Sequence, residues 1–177
     1  MLVEYEVLKD ENRNLQTTVE MKETELANQV AINDSLSIEN VTQANTITEA
    51  KELSIASLNS IGIIERSSGK QIPTDKARRV DKVKLCFAVA ANKVADKGDR
   101  VYHIQILDPK NNVIGAKETI DVNGMSLTYS AETKFFYKNK TIDICEYISE
   151  EKFEKGTYFV NIFQEGVNIA NTSFDLR

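Results

Sequence analysis

The first sixty residues contain no residue that breaks a helix and almost no side chain that builds a globular core. All seven Gly and both Pro lie after residue 61, and of the thirteen Phe and Tyr only Tyr5 precedes Phe87. A segment without turn residues favours one continuous helix, whereas residues 61–177 have the turns and aromatics of a compact domain. The chain therefore divides into two parts that bury apolar surface in different ways.

Residues 1–50 place apolar side chains at the spacing of a helix seam. Leu8 and Leu15 occupy d positions of a heptad frame, and an eleven-residue spacing, typical of a nearly straight or slightly right-handed supercoil, overlaps it. Together the two patterns predict a coiled coil with a register shift around residues 26–36. The eleven-residue spacing joins Leu8, Val19, Val30 and Val41.

A helix of about 50 residues is about 75 Å long, so residues 61–177 are too few to cover it. We expect residues 1–52 to form a coiled-coil oligomerisation helix, as a parallel homodimer first and a trimer next. Asn at a positions favours two parallel strands, because Asn side chains pair across the axis. Two alternatives stay open: a helical hairpin packed on the rest of the chain, or a frayed linker at 37–52. The expected oligomerisation residues are Leu8, Asn12, Leu15, Val19, Leu26, Asn33 and Leu36.

From Leu53 the hydrophobic period becomes that of a strand. The clearest strand runs over residues 82–89, where Val and Leu alternate with Lys, and Asn123-Gly124 is a strong hairpin signal. Residues 149–156 have the capping pattern of one or two helical turns. Turn signals every 8–12 residues predict an all-β, immunoglobulin-like sandwich of seven to nine strands over residues 53–177.

Cys86 and Cys145 test this interpretation. They lie 59 residues apart, a spacing that resembles the bridged pair of an immunoglobulin domain. The alternation of the strands, however, places both side chains away from the main core. Since no export signal is visible, we expect two free thiols.

The sequence argues against catalysis. Gly69-Lys70 lacks the first Gly of a phosphate-binding loop, and Gln71 stands where Ser or Thr is required. The two Cys are too few for a four-cysteine zinc site, and the single His, His103, has the setting of a packed or surface strand residue. We expect no enzyme, with no catalytic residue, no metal and no cofactor.

The N-terminal residues and the hydropathy pattern bear on location. No run of about 18 apolar residues exists, and the first six residues lack the basic and apolar regions of a signal peptide. We therefore expect no transmembrane segment and a cytoplasmic location. Because the periodic pattern begins almost at residue 1, removal of an upstream anchor or signal stays an open alternative.

The charge is divided unevenly along the chain. Residues 1–60 carry four Lys and Arg against eleven Asp and Glu, whereas residues 61–177 carry eighteen against sixteen, a balance that disfavours nucleic acid as the main partner. Phe135-Phe136-Tyr137 cannot all face one core, so Phe136 is a candidate exposed aromatic. One basic cluster, a candidate patch for an anion or a partner, comprises Lys70, Lys76, Arg78, Arg79, Lys82 and Lys84.

Four stretches carry a family resemblance: TDKARRVDKVKLCFAVAAN at 74–92, VYHIQILDP at 101–109, KGTYFVNIF at 155–163 and TSFDL at 172–176. They resemble a family of small bacterial proteins with an N-terminal coiled coil and a C-terminal β-sandwich, often labelled chromosome partitioning or segregation proteins. The resemblance covers residues from about 60 to 177 and brings no functional residue with it. The partitioning label implies an ATPase, whose phosphate loop this sequence lacks.

These observations favour a non-enzymatic scaffold or adaptor. A coiled-coil dimer would present two β-sandwich heads to a protein partner whose identity the sequence does not give, and two weak contacts would then act together through effective concentration. The alternative is an anion-binding module that uses the basic cluster on DNA or on a membrane surface.

Overall fold

The computed structural model describes residues 2–122 and 124–177, and the chain separates into two compact units, one ending at Ala50 and one spanning Lys51–Arg177. The first unit is a single helix, α1, over Leu2–Ala50. Its 49 residues contain no Gly or Pro, and several Thr hydroxyls, such as that of Thr17, donate to the carbonyl four residues earlier. The helix therefore continues through residues 37–50, so neither the helical hairpin nor the frayed linker is present.

The second unit, here called the β-domain, contains ten strands. Two four-stranded antiparallel sheets have the orders β2-β1-β3-β8 and β10-β9-β4-β7, and β5 pairs with β6 in a separate hairpin. Asn123, half of the predicted hairpin signal, lies outside the described residues. The strands are β1 (Ile55–Glu65), β2 (Gln71–Pro73), β3 (Lys82–Val89), β4 (Gly98–Leu107), β5 (Glu118–Val122), β6 (Met125–Tyr129), β7 (Ala131–Tyr137), β8 (Ile142–Ser149), β9 (Gly156–Gln164) and β10 (Val167–Leu176).

The predicted fold, a long coiled coil followed by an immunoglobulin-like sandwich of seven to nine strands, is wrong. A coiled coil requires a second helix on the seam, and α1 is the one α-helix in the described part of the chain. The β-domain has ten strands in three sheets, because Gln71–Pro73 forms a strand too short for alternation to reveal. What the structure has is a helix followed by two β-sheets packed as a sandwich.

The core of the β-domain lies between the two four-stranded sheets. The inward side chains of β3 (Val83, Leu85 and Phe87) are almost fully buried, as are those of β4 across from them. The Phe87 and Tyr102 ring centroids lie 6.2 Å apart, so the two central strands contact each other directly. Residues 149–156 form no helix, although Phe153 is buried in the same core.

Two buried tyrosines of this core differ in their hydrogen bonding. The Tyr137 hydroxyl donates to the Ala90 carbonyl at 2.9 Å and accepts from the Asn92 amide at 2.6 Å, which holds residues 90–97 against β7. The Tyr102 hydroxyl is buried with no partner, and burial raises the pKa of Tyr102 to about 12. The first hydroxyl therefore stabilises the fold, whereas the second only costs desolvation.

The two cysteines form a disulfide, so the prediction of free thiols is wrong. Cys86 on β3 lies directly opposite Cys145 on β8 in the pairing register. Both face outward, as the alternation predicts, with Cys145 exposed and Cys86 half-buried. The bond therefore joins neighbouring strands of one sheet, whereas the bridge of an immunoglobulin domain joins two sheets.

Replacing each of the two buried tyrosines by phenylalanine should affect the free energy of unfolding differently. Tyr137→Phe removes both hydrogen bonds of a buried hydroxyl and should lower the free energy of unfolding by about 1–3 kcal/mol. Tyr102→Phe removes a hydroxyl that has no partner and should leave that free energy unchanged or raise it. Urea denaturation of both variants measures the difference, and an equal loss in both would contradict this assignment.

The disulfide predicts the thiol content and part of the stability. Thiol titration of unreduced, denatured protein should find no free thiol per chain, and reduction should release both. Joint Cys86→Ser and Cys145→Ser substitution should lower the free energy of unfolding by about 2–4 kcal/mol, because the crosslink restricts the unfolded chain. Joint Ser57→Ala and Ser149→Ala substitution on the same sheet is a control for surface change. Two titratable thiols without reductant would refute the bond.

Candidate interaction surfaces

The apolar side chains of α1 form a long exposed surface. Every described side chain from Glu4 to Ala50 is exposed, and Leu8, Leu15 and Leu26 are each 58–66% exposed. At about 100° per residue, the side chains that form the stripe lie within about 60° of one another around the helix. We call this set the α1 stripe: Leu8, Leu15, Val19, Leu26 and Val30.

The other predicted oligomerisation residues follow the same helix. Asn12 lies within the α1 stripe, Asn33 extends it towards the C-terminal end, and Leu36 lies about 60° outside it around the helix, all three exposed. Outside the stripe, Met21 and Ile38 are 62% and 70% exposed on other sides of α1. The described part of the chain has no helix with both the length and the apolar character needed to cross a bilayer.

Of the six residues of the basic cluster, two lie on β3 and four lie in the segments that connect β1, β2 and β3. Arg78 and Arg79 lie in a single 3₁₀ turn, Ala77–Arg79, and are exposed, as are Lys70 and Lys76. Lys82 Nζ instead contacts Glu65 Oε2 at 2.6 Å. The cluster therefore consists of four exposed cations and two cations that the sheet already uses.

Lys84 belongs to a small polar group on the outer face of the β2-β1-β3-β8 sheet. Its Nζ lies 3.3 Å from Gln71 Oε1 and 5.7 Å from the centroid of the Tyr147 ring. The Tyr147 hydroxyl donates to the same Gln71 oxygen at 3.4 Å. Lys84 is thus held on the sheet by an amide and an aromatic face, which reduces its value for an anion.

Phe136 is 51% exposed on the outer face of β7, whereas Tyr137 beside it is fully buried. Lys138 Nζ lies 5.8 Å from the Phe136 ring centroid. β7 is an edge strand that pairs only with β4 among the described strands. The aromatic ring therefore lies at a sheet edge, next to a cation.

His103 belongs to a polar group under the β5–β6 hairpin. Its Nε2 lies 3.4 Å from Glu132 Oε2, and its ring packs edge-on against Tyr129 with centroids 4.8 Å apart. Hydrogen bonding to Glu118 raises the pKa of Tyr129 to about 12, whereas the hydrogen bond from Lys134 leads the effects that lower the pKa of Glu132.

His103 Nδ1 is buried and has no hydrogen-bond partner. The polar group fixes the hairpin on the outer face of β4, with help from a 2.9 Å hydrogen bond from Gln105 Nε2 to the Thr128 carbonyl. Within residues 2–122 and 124–177, no group of three His, Cys, Asp or Glu side chains is placed to hold a metal ion.

A groove lies at the end of the β-domain where the chain enters from α1. It has a volume of about 680 Å³ and is lined by apolar and acidic side chains. Gly166, with φ of 81°, allows the β9–β10 turn to approach Val122, since an added Cβ there would lie 2.8 Å from Val122 Cγ1. The lining residues are Glu52, Leu53, Val122, Gln164, Glu165, Val167 and Ile169.

The loop 90–97 contacts the segment 51–52 that leads into β1. Lys51 Nζ contacts Asp96 Oδ2 at 3.0 Å, and Asn92 Nδ2 donates to the Glu52 carbonyl at 3.0 Å. We call the groove and this loop together the entry end. Sequence reasoning missed it, because its parts come from four separate segments. The one signal in the sequence is the apolar Val94 and Val167 in otherwise polar turns.

The chain was compared with models of known protein families. A family model described as "Domain of unknown function (DUF8428)" matches residues 56–177. No curated protein matches the chain.

Solved structures share only a distant likeness. A β-glucosidase from Kluyveromyces marxianus in complex with glucose is 13% identical with a TM-score of 0.40, and the match covers 71% of this chain and 13% of that one. The alkylpurine DNA glycosylase AlkC from Pseudomonas fluorescens is 18% identical with a TM-score of 0.36, over 71% and 30% of the two chains. An immunoglobulin-like protein from Pseudomonas aeruginosa is 20% identical with a TM-score of 0.35, over 71% and 97%. At these scores none of the three assigns a function.

Proposed function

The chain belongs to the family described as "Domain of unknown function (DUF8428)", and we propose that it is a non-enzymatic scaffold or adaptor. In this proposal α1 associates with α1 of a second copy, in parallel, and the pair presents two β-domains to a protein partner. The observation that carries the proposal is the α1 stripe, a row of large apolar side chains that is exposed along its whole length.

The energetic argument compares burial with the cost of association. Fully burying one Leu or Val side chain contributes about 1.5–3 kcal/mol, so five on each of two helices contribute roughly 15–30 kcal/mol gross. This exceeds the cost of association, estimated at about 4–15 kcal/mol. Asn12 and Asn33 favour an identical partner in parallel, because each then meets its own copy across the axis.

The α1 stripe could be covered by a second copy of α1 or by a basic partner, and the charge of α1 distinguishes the two. Residues 1–50 carry three Lys and Arg against ten Asp and Glu. Two copies of this helix repel each other, so salt should strengthen their association by screening. A basic partner would be attracted, and salt would weaken its binding.

Two β-domains held on one pair of helices gain from effective concentration. A partner that contacts both domains binds more tightly than either contact alone provides, without any new contact. This gain requires no catalytic group.

Cellular location stays a proposal as well. If the protein is cytoplasmic, as the sequence predicts, Cys86 and Cys145 are mostly free thiols in cells, because cytosolic reductants keep thiols reduced. A formed disulfide instead favours an oxidising compartment. Alkylation of thiols at the moment of lysis, followed by the titration predicted above, distinguishes the two locations.

A second candidate function rests on the four exposed cations Lys70, Lys76, Arg78 and Arg79. In that case the protein binds duplex DNA or an anionic membrane surface, and binding weakens steeply with salt because counterions are released. Lys82 and Lys84 contribute less, since each already has a partner in the sheet.

The α1 stripe predicts a dimer that specific substitutions dissociate. Sedimentation equilibrium of the full chain should give a dimer that becomes tighter between low and about 0.5 M salt. Leu15→Asp with Leu26→Asp should give a monomer, because two carboxylates then lie in the buried seam. Met21→Asp with Ile38→Asp, which adds the same charge away from the stripe, should remain a dimer. A monomeric unsubstituted chain would overturn the proposal.

The second candidate predicts salt-dependent binding to an anion. Fluorescence anisotropy with labelled duplex DNA at low salt should show binding that Arg78→Ala with Arg79→Ala weakens about tenfold or more. Lys138→Ala with Lys140→Ala removes equal charge elsewhere and should change binding little. Absence of binding at low salt, or equal loss in both variants, would exclude the cluster as a DNA site.

A further inference from the structure

The entry end carries more exposed apolar surface than turns usually do. Of the six large hydrophobic side chains exposed in the described β-domain, Val94 and Val167 lie in the entry end, and Met125 lies at the β5–β6 turn, paired with the groove residue Val122. Val94 is 51% exposed, and Met125 and Val167 are each 65% exposed. Turns are normally built from Gly, Pro, Asn, Asp and Ser, so large apolar side chains at three neighbouring turns indicate a surface that is covered in use.

The entry end has one protruding and one recessed half, of opposite charge. Val94 lies between the exposed cations Lys93 and Lys97, and the one anion of the loop, Asp96, contacts Lys51 at 3.0 Å. The groove has an apolar lining from Leu53, Val122, Val167 and Ile169, and its two charged lining residues are Glu52 and Glu165. A cationic loop with an apolar tip thus complements an anionic groove with an apolar floor. A surface with both halves is complementary to itself across a two-fold axis.

Chain geometry brings two such surfaces together. Packed helices have axes about 8–10 Å apart, so parallel α1 helices hold the two Lys51 residues at about that distance. Residues 51–53 span at most about 10 Å, and Glu52 and Leu53 themselves line the groove. When the helices pair in parallel, the two copies of residues 51–53 therefore start close together, and with them the groove residues Glu52 and Leu53.

We propose that the entry end is a second interface between two copies of this chain, in which Val94 of each copy inserts into the groove of the other. The inference rests on the proposed association of α1, and it requires that association to be parallel. An antiparallel pair would hold the two entry ends roughly 70 Å apart, at 1.5 Å per residue of helix.

The main test is crosslinking between differently sized copies. A tagged Val94→Cys chain and an untagged Val167→Cys chain are mixed, allowed to exchange subunits, and treated with a short bismaleimide. We expect a product with the summed mass of both chains. The matched control pairs Val94→Cys with Phe159→Cys, because Phe159 is 49% exposed on β9 but pairs with Leu107 at the opposite end of β4. The control pair should give no such product.

Affinity gives an independent measurement. Val94→Asp places a carboxylate against the acidic groove and should weaken the dimer about tenfold or more in sedimentation equilibrium. Phe159→Asp adds the same charge at the far end and should leave the affinity within about twofold.

A further variant separates this inference from the proposed function. Glu49→Cys lies at the end of α1 and crosslinks to its own copy only in a parallel dimer. If Glu49→Cys crosslinks but Val94→Cys and Val167→Cys do not, the association of α1 stands and the entry-end interface is wrong. A monomeric chain overturns both, and a dimer in which Glu49→Cys does not crosslink overturns the entry-end interface and the parallel arrangement.

Discussion

The β-domain depends on the contact between its two central strands. β3 and β4 lie inside different sheets, and each presents a row of side chains that is almost fully buried against the other. Because this row consists of Val, Leu, Ile, Phe and Tyr, the described side chains of β3 and β4 fill the space between them with apolar atoms. On the outer face of β4, the one histidine, His103, lies beneath the β5–β6 hairpin, and its Nδ1 is buried without a hydrogen-bond partner.

Apolar side chains are buried in the core of the β-domain, whereas those of α1 are exposed. Apolar side chains recur along this helix at spacings that form a stripe, yet they are exposed from end to end. A strand buries its apolar face against another sheet of the same chain, whereas a single straight helix has no second layer of its own. The contrast makes the helix, and not a pocket, the feature that most constrains function.

Sequence periodicity predicts faces well and pairings poorly. Alternation over residues 82–89 placed Val83, Leu85 and Phe87 inward and Cys86 outward, and the structure agrees. It did not reveal the disulfide, because the bond depends on the register that puts Cys145 opposite Cys86, and more than fifty residues separate the two strands. Periodicity did not predict β2, because a strand of three residues is too short to show an alternating pattern. The absence of Gly and Pro correctly predicted a continuous helix. The apolar stripe on that helix, however, does not identify the surface that covers it.

The entry end shows why a site built from turns is hard to read from sequence. Its parts lie far apart in the chain: Val122 and Val167 line the groove together with Glu52 and Leu53, and the loop 90–97, which carries Val94, contacts residues 51 and 52. If this end is covered by a second copy, the relative orientation of the two β-domains is fixed and not left to a flexible hinge. A fixed orientation raises the effective concentration only for a partner whose two binding points match that spacing. The outer sheet faces, with Phe136, Tyr147 and Phe159 exposed, then stay available to such a partner. In this arrangement the helix pair determines how many β-domains are presented, and the entry end determines which partners they match.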